Sequence, residues 1–300
     1  MTSAAVPSAV PSSAVLSSAV PSSAVLSSAF PSSAFPLSGR TAVVTGVSRR
    51  RGIGYAIASR LAAMGANLFV QHYAPNDEAQ PWGADSIDDL LRELRGKLVG
   101  DARLDHAGMD LAPADGARQL VDAARDAFGH VDILVCNHAM SGSDGRLLEM
   151  TPEKLDAHWQ VNTRSTLLAT RYFAEQHDGR PGGRVIWLTS GQSKGPMPAE
   201  IAYATSKGAL AGITASVADD LIGRGIVLNT VNPGPVNTGY LDDATRDRPS
   251  EELEAVLAHF PGGRFGEPDD PARLVAWLVS DEGRWMVGQV LNTEGGFRRW

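Results

Sequence analysis

The sequence predicts an α/β fold built on a doubly wound parallel sheet of about seven strands. From Gly39 onward, short apolar runs alternate with longer segments of helical pattern. The runs lack strict polar and apolar alternation, which is typical of strands covered on both faces. The intervening segments are long enough for right-handed crossover helices. In such sheets ligands bind beyond the carboxyl ends of the strands, so we expect functional residues directly after each run.

The predicted strands follow one another at intervals that leave room for a helix between neighbours. In chain order they are AVVTG (42–46), NLFVQHY (67–73), RLDHAGMD (103–110), VDILVCN (131–137), RVIWLTS (184–190), IVLNTVN (226–232) and MVGQVLNT (286–293).

Composition limits the domain count and the kinds of partner. The chain has 300 residues, of which 43% are hydrophobic and 20% charged, and this predicts one main domain. Its net charge is −7 and its basic residues are scattered, which argues against nucleic-acid and membrane-surface binding. Cys136 is the single cysteine, so an internal disulfide is excluded and a cytoplasmic setting is expected. None of the seven histidines has a partner at metal-ligand spacing, so no metal is predicted.

Residues 1–38 differ in composition from the rest of the chain. PSSAVLSSAV, PSSAVLSSAF and PSSAF succeed one another with a period of ten, and the first charged side chain is Arg40. Recurring Pro and Ser interrupt both helix and strand patterns, and the short apolar pairs bury too little surface to offset the entropy of ordering. We predict a disordered tail over 1–38 and a catalytic domain over 39–300. The tail lacks the unbroken apolar core of a signal peptide or a membrane span.

A glycine-rich turn joins the first strand to the first helix. Gly46, Gly52 and Gly54 in TGVSRRRGIGYAI permit a tight bend and the close approach of a phosphate to the helix N-terminus. Glycines between a strand and a helix also serve ordinary packing, so this turn alone does not establish a dinucleotide site.

A stronger signal lies in LTSGQSKGPMPAEIAYATSKGAL. Tyr203 and Lys207 stand four residues apart on one helical face, and Ser190 precedes Tyr203 by thirteen residues at a strand end. Chance predicts only about 0.07 such Tyr and Lys pairs in this composition. A phenol has a pKa of about 10, and we expect the Lys207 ammonium to lower it so that Tyr203 exchanges a proton with substrate. Ser190 would hold the substrate oxygen.

These motifs resemble the short-chain dehydrogenase/reductase family from about Leu37 to the C-terminus. GRFGEPDDPARLVAWLVSD and GQVLNTEGGF are most similar to its 3-oxoacyl carrier-protein reductase branch. The resemblance implies a Rossmann-like fold and adds Asn162, the helix asparagine of a proton relay, to the catalytic Ser190, Tyr203 and Lys207. It also implies cofactor contacts from Gly46, Ser48, Arg49, Gly52, Ile53, Gly54, His72, Asp110, Leu111, Asn137, Tyr203, Lys207, Pro233, Gly234, Val236 and Thr238.

Two departures from the family pattern touch the cofactor site. The glycine turn is two residues longer than TGxxxGxG, and CNHA replaces NNAG, which places His138 where the family has a small residue. We expect His138 to be packed or solvated and not catalytic.

The second strand ends in Gln71 and His72 without the acidic residue that would bind both ribose hydroxyls. Together with Arg49 to Arg51, which would contact a ribose 2′-phosphate, this favours NADP over NAD.

The predicted function is hydride transfer between NADP(H) and a carbonyl or alcohol. Two alternatives remain: a non-catalytic NADP-binding sensor or scaffold, and an enoyl reductase, although enoyl reductases space their Tyr and Lys more widely. The segment near 238–263 is predicted to be a substrate lid, and no residue in it selects a particular substrate. The resemblance also implies a homotetramer built on 159–176, 202–222 and 285–297.

Overall fold

The computed structural model describes residues 35–246 and 249–298, and its centre is a parallel sheet in the order β3-β2-β1-β4-β5-β6-β7. This confirms the predicted doubly wound α/β fold. The order reverses between β1 and β4, the neighbouring strands whose carboxyl ends flank the glycine turn. The strands are β1 (Thr41–Val44), β2 (Asn67–His72), β3 (Leu104–Gly108), β4 (Ile133–Cys136), β5 (Gly183–Leu188), β6 (Ile226–Asn232) and β7 (Val290–Asn292).

Helices cover both faces of the sheet. Leu61 of α1, Leu90 of α3 and Val275 of α9 are buried against one face. Leu120 of α4 and Phe173 of α6 are buried against the other, together with residues of α7. The helices are α1 (Ile53–Ala63), α2 (Ala74–Glu78), α3 (Ile87–Arg95), α4 (Gly116–Phe128), α5 (Pro152–His158), α6 (Ser165–Gln176), α7 (Ile201–Ile222), α8 (Ser250–Leu257) and α9 (Asp269–Val279). None of these helices combines the length and apolar composition that crossing a membrane requires.

Burial explains the unbroken apolar runs of the central strands. Every residue of β1, β4, β5 and β6 is buried, whereas β3 at the sheet edge is mostly exposed. Asn229 is a buried polar residue of β6, and its amide donates to the Met286 carbonyl O at 2.6 Å and accepts from the Gln289 N–H at 3.0 Å. These bonds dock the segment that leads into the edge strand β7.

The folded domain begins before residue 39, where the sequence placed its start. Leu37 is fully buried in the core, and its N–H donates to the Met64 carbonyl O at 2.8 Å. Phe35 packs over Gly65 and Gly100. The predicted tail over 1–38 is therefore too long at its C-terminal end, because Phe35 and Leu37 pack against the folded domain. Residues 1–34 of the predicted tail and 247–248 of the predicted lid lie outside the described residues.

Candidate active site

The glycine turn has the close packing that its sequence indicated. Gly46 adopts a φ of +71°, and a Cβ there would lie 2.9 Å from the Cα of His138. A Cβ at Gly54 would overlap the carbonyl O of Gly46. Gly52 is the N-cap of α1 and Ile53 its first residue. Only glycine therefore permits this approach of α1 to β1 at the two positions, and the N-terminus of α1 is left facing the turn.

Side chains from neighbouring strands hold the turn. Gln71 Oε1 accepts from the Gly46 N–H at 2.9 Å, and its Nε2 donates to the Met109 carbonyl O at 2.7 Å. Asn137 Nδ2 donates to the carbonyl oxygens of Thr45 at 3.0 Å and Gly46 at 3.2 Å. Asn137, predicted as a cofactor contact, therefore holds the turn with its side chain, and any cofactor contact falls to its other atoms.

His138 is a buried structural residue. Its Nδ1 lies 2.7 Å from Thr45 Oγ1, and its Nε2 lies 2.7 Å from Ser165 Oγ. Burial, reinforced by the charge of Lys207, lowers the pKa of His138 to about 3. The imidazole is therefore neutral at physiological pH and bridges the end of β1 to α6, which agrees with the expectation that it is packed.

Ser190, Tyr203 and Lys207 meet at the carboxyl end of β5. Ser190 follows this strand, and its hydroxyl lies close enough to the Tyr203 phenol to lower the pKa of that group. Lys207 lies one turn further along α7, is 2% exposed, and donates from Nζ to the Leu188 carbonyl O at 2.9 Å. The structure thus brings the three predicted catalytic residues to one place, as their spacing indicated.

The pKa directions differ from the sequence-based expectation. Burial and the nearby Glu200 carboxylate raise the pKa of Tyr203 to about 12, and the neighbouring Ser190 hydroxyl only partly opposes them. Burial likewise lowers the pKa of Lys207 to about 8. The predicted net lowering of the Tyr203 pKa is wrong for this structure, because loss of solvation outweighs the contributions that favour the phenolate. Tyr203 is consequently a phenol, and a proton donor, at neutral pH.

Asn162 occupies a π-helical turn (Trp159–Arg164) between α5 and α6. Its Oδ1 accepts from the Met140 N–H at 2.7 Å, and its Nδ2 donates to the Met140 carbonyl O at 3.0 Å and to Ser206 Oγ at 2.9 Å. The Asn162 carbonyl accepts from Thr166 Oγ1 at 2.9 Å. Asn162 therefore joins the segment after β4 to α7, and π-helical turns are frequent at functional sites.

Other predicted cofactor residues lie at the same sheet edge but use their side chains internally. Ser48 Oγ accepts from the Tyr73 N–H at 3.1 Å, and Asp110 Oδ1 accepts from the Ala112 N–H at 2.8 Å. The Leu111 side chain is buried in the core, so only its backbone is placed to meet a ligand. His72 stacks on His106 with 5.3 Å between ring centroids.

The segment after β6 forms the opposite wall. Gly234 has a φ of +71°, and a Cβ there would collide with Glu294. Val236 is buried and pairs with Gly266 in an isolated parallel bridge. Pro233 precedes this bend, and Thr238 follows it with its carbonyl O turned to Arg49. The four residues predicted from NPGPVNT thus lie on one continuous bend beside the glycine turn.

Each arginine of the long turn has a carboxylate partner, which the sequence did not predict. Arg49 Nε lies 3.0 Å from Asp77, Arg50 Nε lies 2.8 Å from Glu93, and Arg51 pairs with Asp242. The contact of these guanidinium groups with a 2′-phosphate stays a prediction. Any phosphate contact would share an arginine with an existing ion pair.

The residues present fit a dinucleotide. The glycine turn offers a cradle that a Cβ would fill, next to the N-terminus of α1. The Lys207 ammonium is buried with a hydrogen bond to the Leu188 carbonyl O, and a lysine has three N–H donors, so a ribose diol would complete its bonding. Among the described residues no cluster of three His, Cys, Asp or Glu side chains is placed to hold a metal ion.

Three residues of the site escaped the sequence interpretation. Gln71 and Asp77 support the glycine turn, and Asp144 binds the first turn of α7. The turn-forming SGSDG after β4 is a signal that could have drawn attention to Asp144, but its partners are about 58 residues further along the chain.

Comparisons with known proteins agree with this geometry. A family model described as Enoyl-(Acyl carrier protein) reductase matches residues 46–298. The chain is 36% identical over 264 residues to the uncharacterized oxidoreductase YjdA of Bacillus subtilis, covering 87% of this chain and 97% of that protein. It is 32% identical over 265 residues to an NADPH-dependent aldehyde reductase-like chloroplastic protein of Arabidopsis thaliana, covering 87% and 95%.

A solved structure gives the same result. The chain superposes on a short-chain dehydrogenase from Burkholderia cenocepacia, solved in complex with NADP, with a TM-score of 0.74 and 32% identity over 87% of this chain and 98% of that one. The same assignment is supported by the sheet order, by the glycine turn and by the cluster of Ser190, Tyr203 and Lys207. The chain belongs to the short-chain dehydrogenase/reductase family of oxidoreductases.

Proposed function

We propose that this protein transfers a hydride between NADP(H) and a carbonyl or alcohol substrate, with Tyr203 as the general acid and base. The observation that carries the proposal is the placement of the Tyr203 phenol beside the Ser190 hydroxyl and one helical turn before the buried ammonium of Lys207. A phenol, a second hydroxyl and a cation converge there at the carboxyl end of a parallel sheet, where a substrate oxygen would be held and protonated.

The side chains divide the work of carbonyl reduction. A bound nicotinamide supplies the hydride and takes it back in the reverse direction. Tyr203 carries its proton at neutral pH because burial raises its pKa to about 12, so it donates that proton to the carbonyl oxygen. The Ser190 hydroxyl donates a hydrogen bond to the same carbonyl oxygen and orients it against the Tyr203 hydroxyl. Lys207 binds the ribose hydroxyls and stabilises the phenolate left after proton transfer.

NADP is the proposed cofactor, with NAD as the less favoured one. The second strand ends in His72, so no carboxylate stands there to repel a 2′-phosphate. The Burkholderia relative was solved with NADP, and the Arabidopsis relative carries an NADPH-dependent name. Arg50 and Arg51 lie in the glycine turn with partly exposed side chains, so a phosphate could share their charge with Glu93 and Asp242.

Carbonyl chemistry is favoured over reduction of a C=C bond. The description of the matching family model names an enoyl reductase, but Tyr203 and Lys207 lie on consecutive turns of one helix with the Ser190 hydroxyl beside the phenol. This arrangement serves a developing oxyanion. We infer a ketoreductase of the 3-oxoacyl carrier-protein reductase branch, and a 3-oxoacyl thioester is therefore the first substrate to assay.

Tyr203→Phe tests the proposal because it keeps the ring and removes the transferable proton. We expect kcat for carbonyl reduction to fall by about a hundredfold or more, while the NADPH Kd measured by fluorescence stays within about twofold. Tyr172→Phe is the matched control, since the ring of Tyr172 on α6 packs against the guanidinium of Arg118 on α4 and takes no part in the site. Near-normal turnover of Tyr203→Phe would overturn the assignment. Tight NADPH binding without turnover of any carbonyl or alcohol by the wild type would favour a sensor.

We also propose a homotetramer in the cytoplasm. Three exposed apolar residues, Trp159, Ile222 and Trp285, fall in the segments that we expect at its interfaces. Cys136 is a free, buried thiol, as is usual in a reducing compartment. Light scattering at micromolar concentration tests the assembly, and a monomer would contradict it.

A further inference from the structure

Asp144 lies in the segment between β4 and α5 and binds the helix that carries Tyr203. Its Oδ1 accepts from the Ala202 N–H at 2.9 Å, and its Oδ2 accepts from the Tyr203 N–H at 2.7 Å. The N-cap residue of this helix, Glu200, does not cap it with its own side chain. A carboxylate from a distant segment therefore satisfies two of the free N–H groups in the first turn of α7.

The backbone before Asp144 adopts an uncommon conformation. Gly142 has a φ of +80° and Ser143 a φ of +50°, and Ser143 is the one non-glycine with positive φ among residues 35–246 and 249–298. A left-handed serine is strained, and such residues persist where surrounding contacts determine them. Here the two left-handed residues turn the chain so that the Asp144 carboxylate faces α7.

Both ends of this segment are bound by residues of the proposed active site. Asn162 holds the backbone of Met140 with two hydrogen bonds, and Asp144 holds the backbone of Tyr203. Lys154 of α5 donates from Nζ to the Asp144 carbonyl O at 3.1 Å and fixes the segment from a third side. The segment 140–144 thus connects Asn162 to Tyr203 through main-chain hydrogen bonds.

The Asp144 carboxylate accepts from three main-chain N–H groups, and its Oδ2 lies 3.9 Å from His158 Nε2. The third of these donors is the Gly145 N–H at 2.8 Å, and the Asp144 side chain is 6% exposed. A carboxylate at a helix N-terminus is favoured by the helix dipole, so the arrangement stabilises itself without a bound ligand. Asp144 contacts the main chain of Tyr203 and not its hydroxyl, so it has no role in moving the proton.

We propose that Asp144 is a positioning residue that fixes the first turn of α7 and thereby places the Tyr203 hydroxyl against Ser190. This inference rests on the proposed function of Tyr203. The position of the Tyr203 Cα sets where the phenol points, and a displacement of about 1 Å at a reacting group costs up to about a hundredfold in rate.

Asp144→Asn tests the inference, because it keeps the size of the side chain but replaces one accepting oxygen by a donor that faces an N–H. We expect kcat for reduction of a ketone that the wild type accepts to fall by about tenfold or more, with KM and the NADPH Kd within about twofold. Hydrogen exchange of the peptide over 201–207, followed by mass spectrometry, should become at least about tenfold faster. Asp156→Asn, an exposed carboxylate on α5, is the matched control and should change neither quantity.

Several outcomes would overturn the inference. Unchanged exchange over 201–207 would show that Asp144 does not fix this turn, and faster exchange with unchanged kcat would show that the turn does not position Tyr203. If Asp144→Asn fails to fold, Asp144→Ser, which keeps one accepting oxygen, is subjected to the same measurements and the same criteria. If Tyr203→Phe retains turnover, the proposed function fails, whereas the exchange measurement still decides whether Asp144 fixes the helix.

Discussion

The guanidinium of Arg49 joins the glycine turn to the segment after β6: its Nη1 donates to the Thr238 carbonyl O at 2.6 Å while its Nε lies 3.0 Å from Asp77 Oδ1. The guanidinium also lies 5.2 Å from the ring centroid of Trp82, which contacts the ring of Tyr240. Three segments that are distant in the chain therefore meet at one arginine beside the proposed cofactor cradle.

Removing either member of the Arg49 and Asp77 pair should destabilise the fold. Their side chains are 14% and 12% exposed, so Arg49→Met or Asp77→Asn leaves the partner buried without its counter-charge. We expect each variant to lower the free energy of unfolding by about 3 kcal/mol, measured by urea denaturation, and the double variant to lose clearly less than the sum.

The exposed pair Arg180 and Asp178, whose side chains are 40% and 55% exposed, is the control for this cycle, because its coupling should be below about 1 kcal/mol. Additive effects of Arg49→Met and Asp77→Asn would show that the ion pair does not couple the segments.

The proposed preference for NADP depends on charge in the glycine turn. The double variant Arg50→Gln/Arg51→Gln leaves the structural Arg49 in place. It should raise the KM for NADPH by about tenfold or more with little effect on NADH, because only NADPH carries the 2′-phosphate that these cations would contact. Steady-state kinetics with both cofactors measure this. An equal change in the KM values for NADPH and NADH would show that these arginines do not recognise the 2′-phosphate. A wild-type preference for NADH would refute the proposed preference for NADP.

Lys207→Met should abolish activity without lowering stability at neutral pH. Burial lowers the pKa of Lys207 from 10.5 to about 8, so keeping the folded ammonium charged at pH 7 costs about 3 kcal/mol. The variant removes this cost. It also loses the hydrogen bond to the Leu188 carbonyl O, and this loss cancels about 1 to 3 kcal/mol of the gain. We expect an unchanged or slightly raised Tm together with loss of turnover.

The sign of the pH dependence follows from the same shift. Between pH 8 and 10.5 the unfolded chain holds the Lys207 proton that the folded protein has released, so the contribution of this group to wild-type stability rises with pH. In scanning calorimetry, the Tm of the wild type should therefore rise relative to the Tm of Lys207→Met across that pH range. A difference that stays constant from pH 7 to 10.5 would contradict the shifted pKa.

Two truncations locate the start of the folded domain. A chain that begins at residue 34 should keep the Tm and activity of the whole protein, because it retains Phe35 and Leu37. A chain that begins at Gly39 loses the fully buried Leu37 and should be less stable by about 2 to 5 kcal/mol, the usual cost of deleting a core leucine. Equal melting temperatures for the two chains would show that Leu37 contributes nothing to the core.

The sequence by itself determined the parallel sheet, the glycine turn and the Ser190, Tyr203 and Lys207 set. These depend on local patterns: apolar runs that mark covered strands, glycines that only a tight turn requires, and a four-residue spacing that places two side chains on one helical face. Such patterns lie in contiguous residues and do not depend on contacts with distant parts of the chain.

Tertiary structure alone decided the charge states and the partners of the polar residues. Burial, which no spacing reveals, raises the pKa of Tyr203 and lowers that of Lys207. The partners of Arg49 lie 28 and 189 residues away, and Asp144 reaches Tyr203 across 59 residues. Hydrogen bonds and desolvation depend on which atoms the packed fold brings within about 3 Å, and that proximity is set by the crossing of strands and helices rather than by order along the chain.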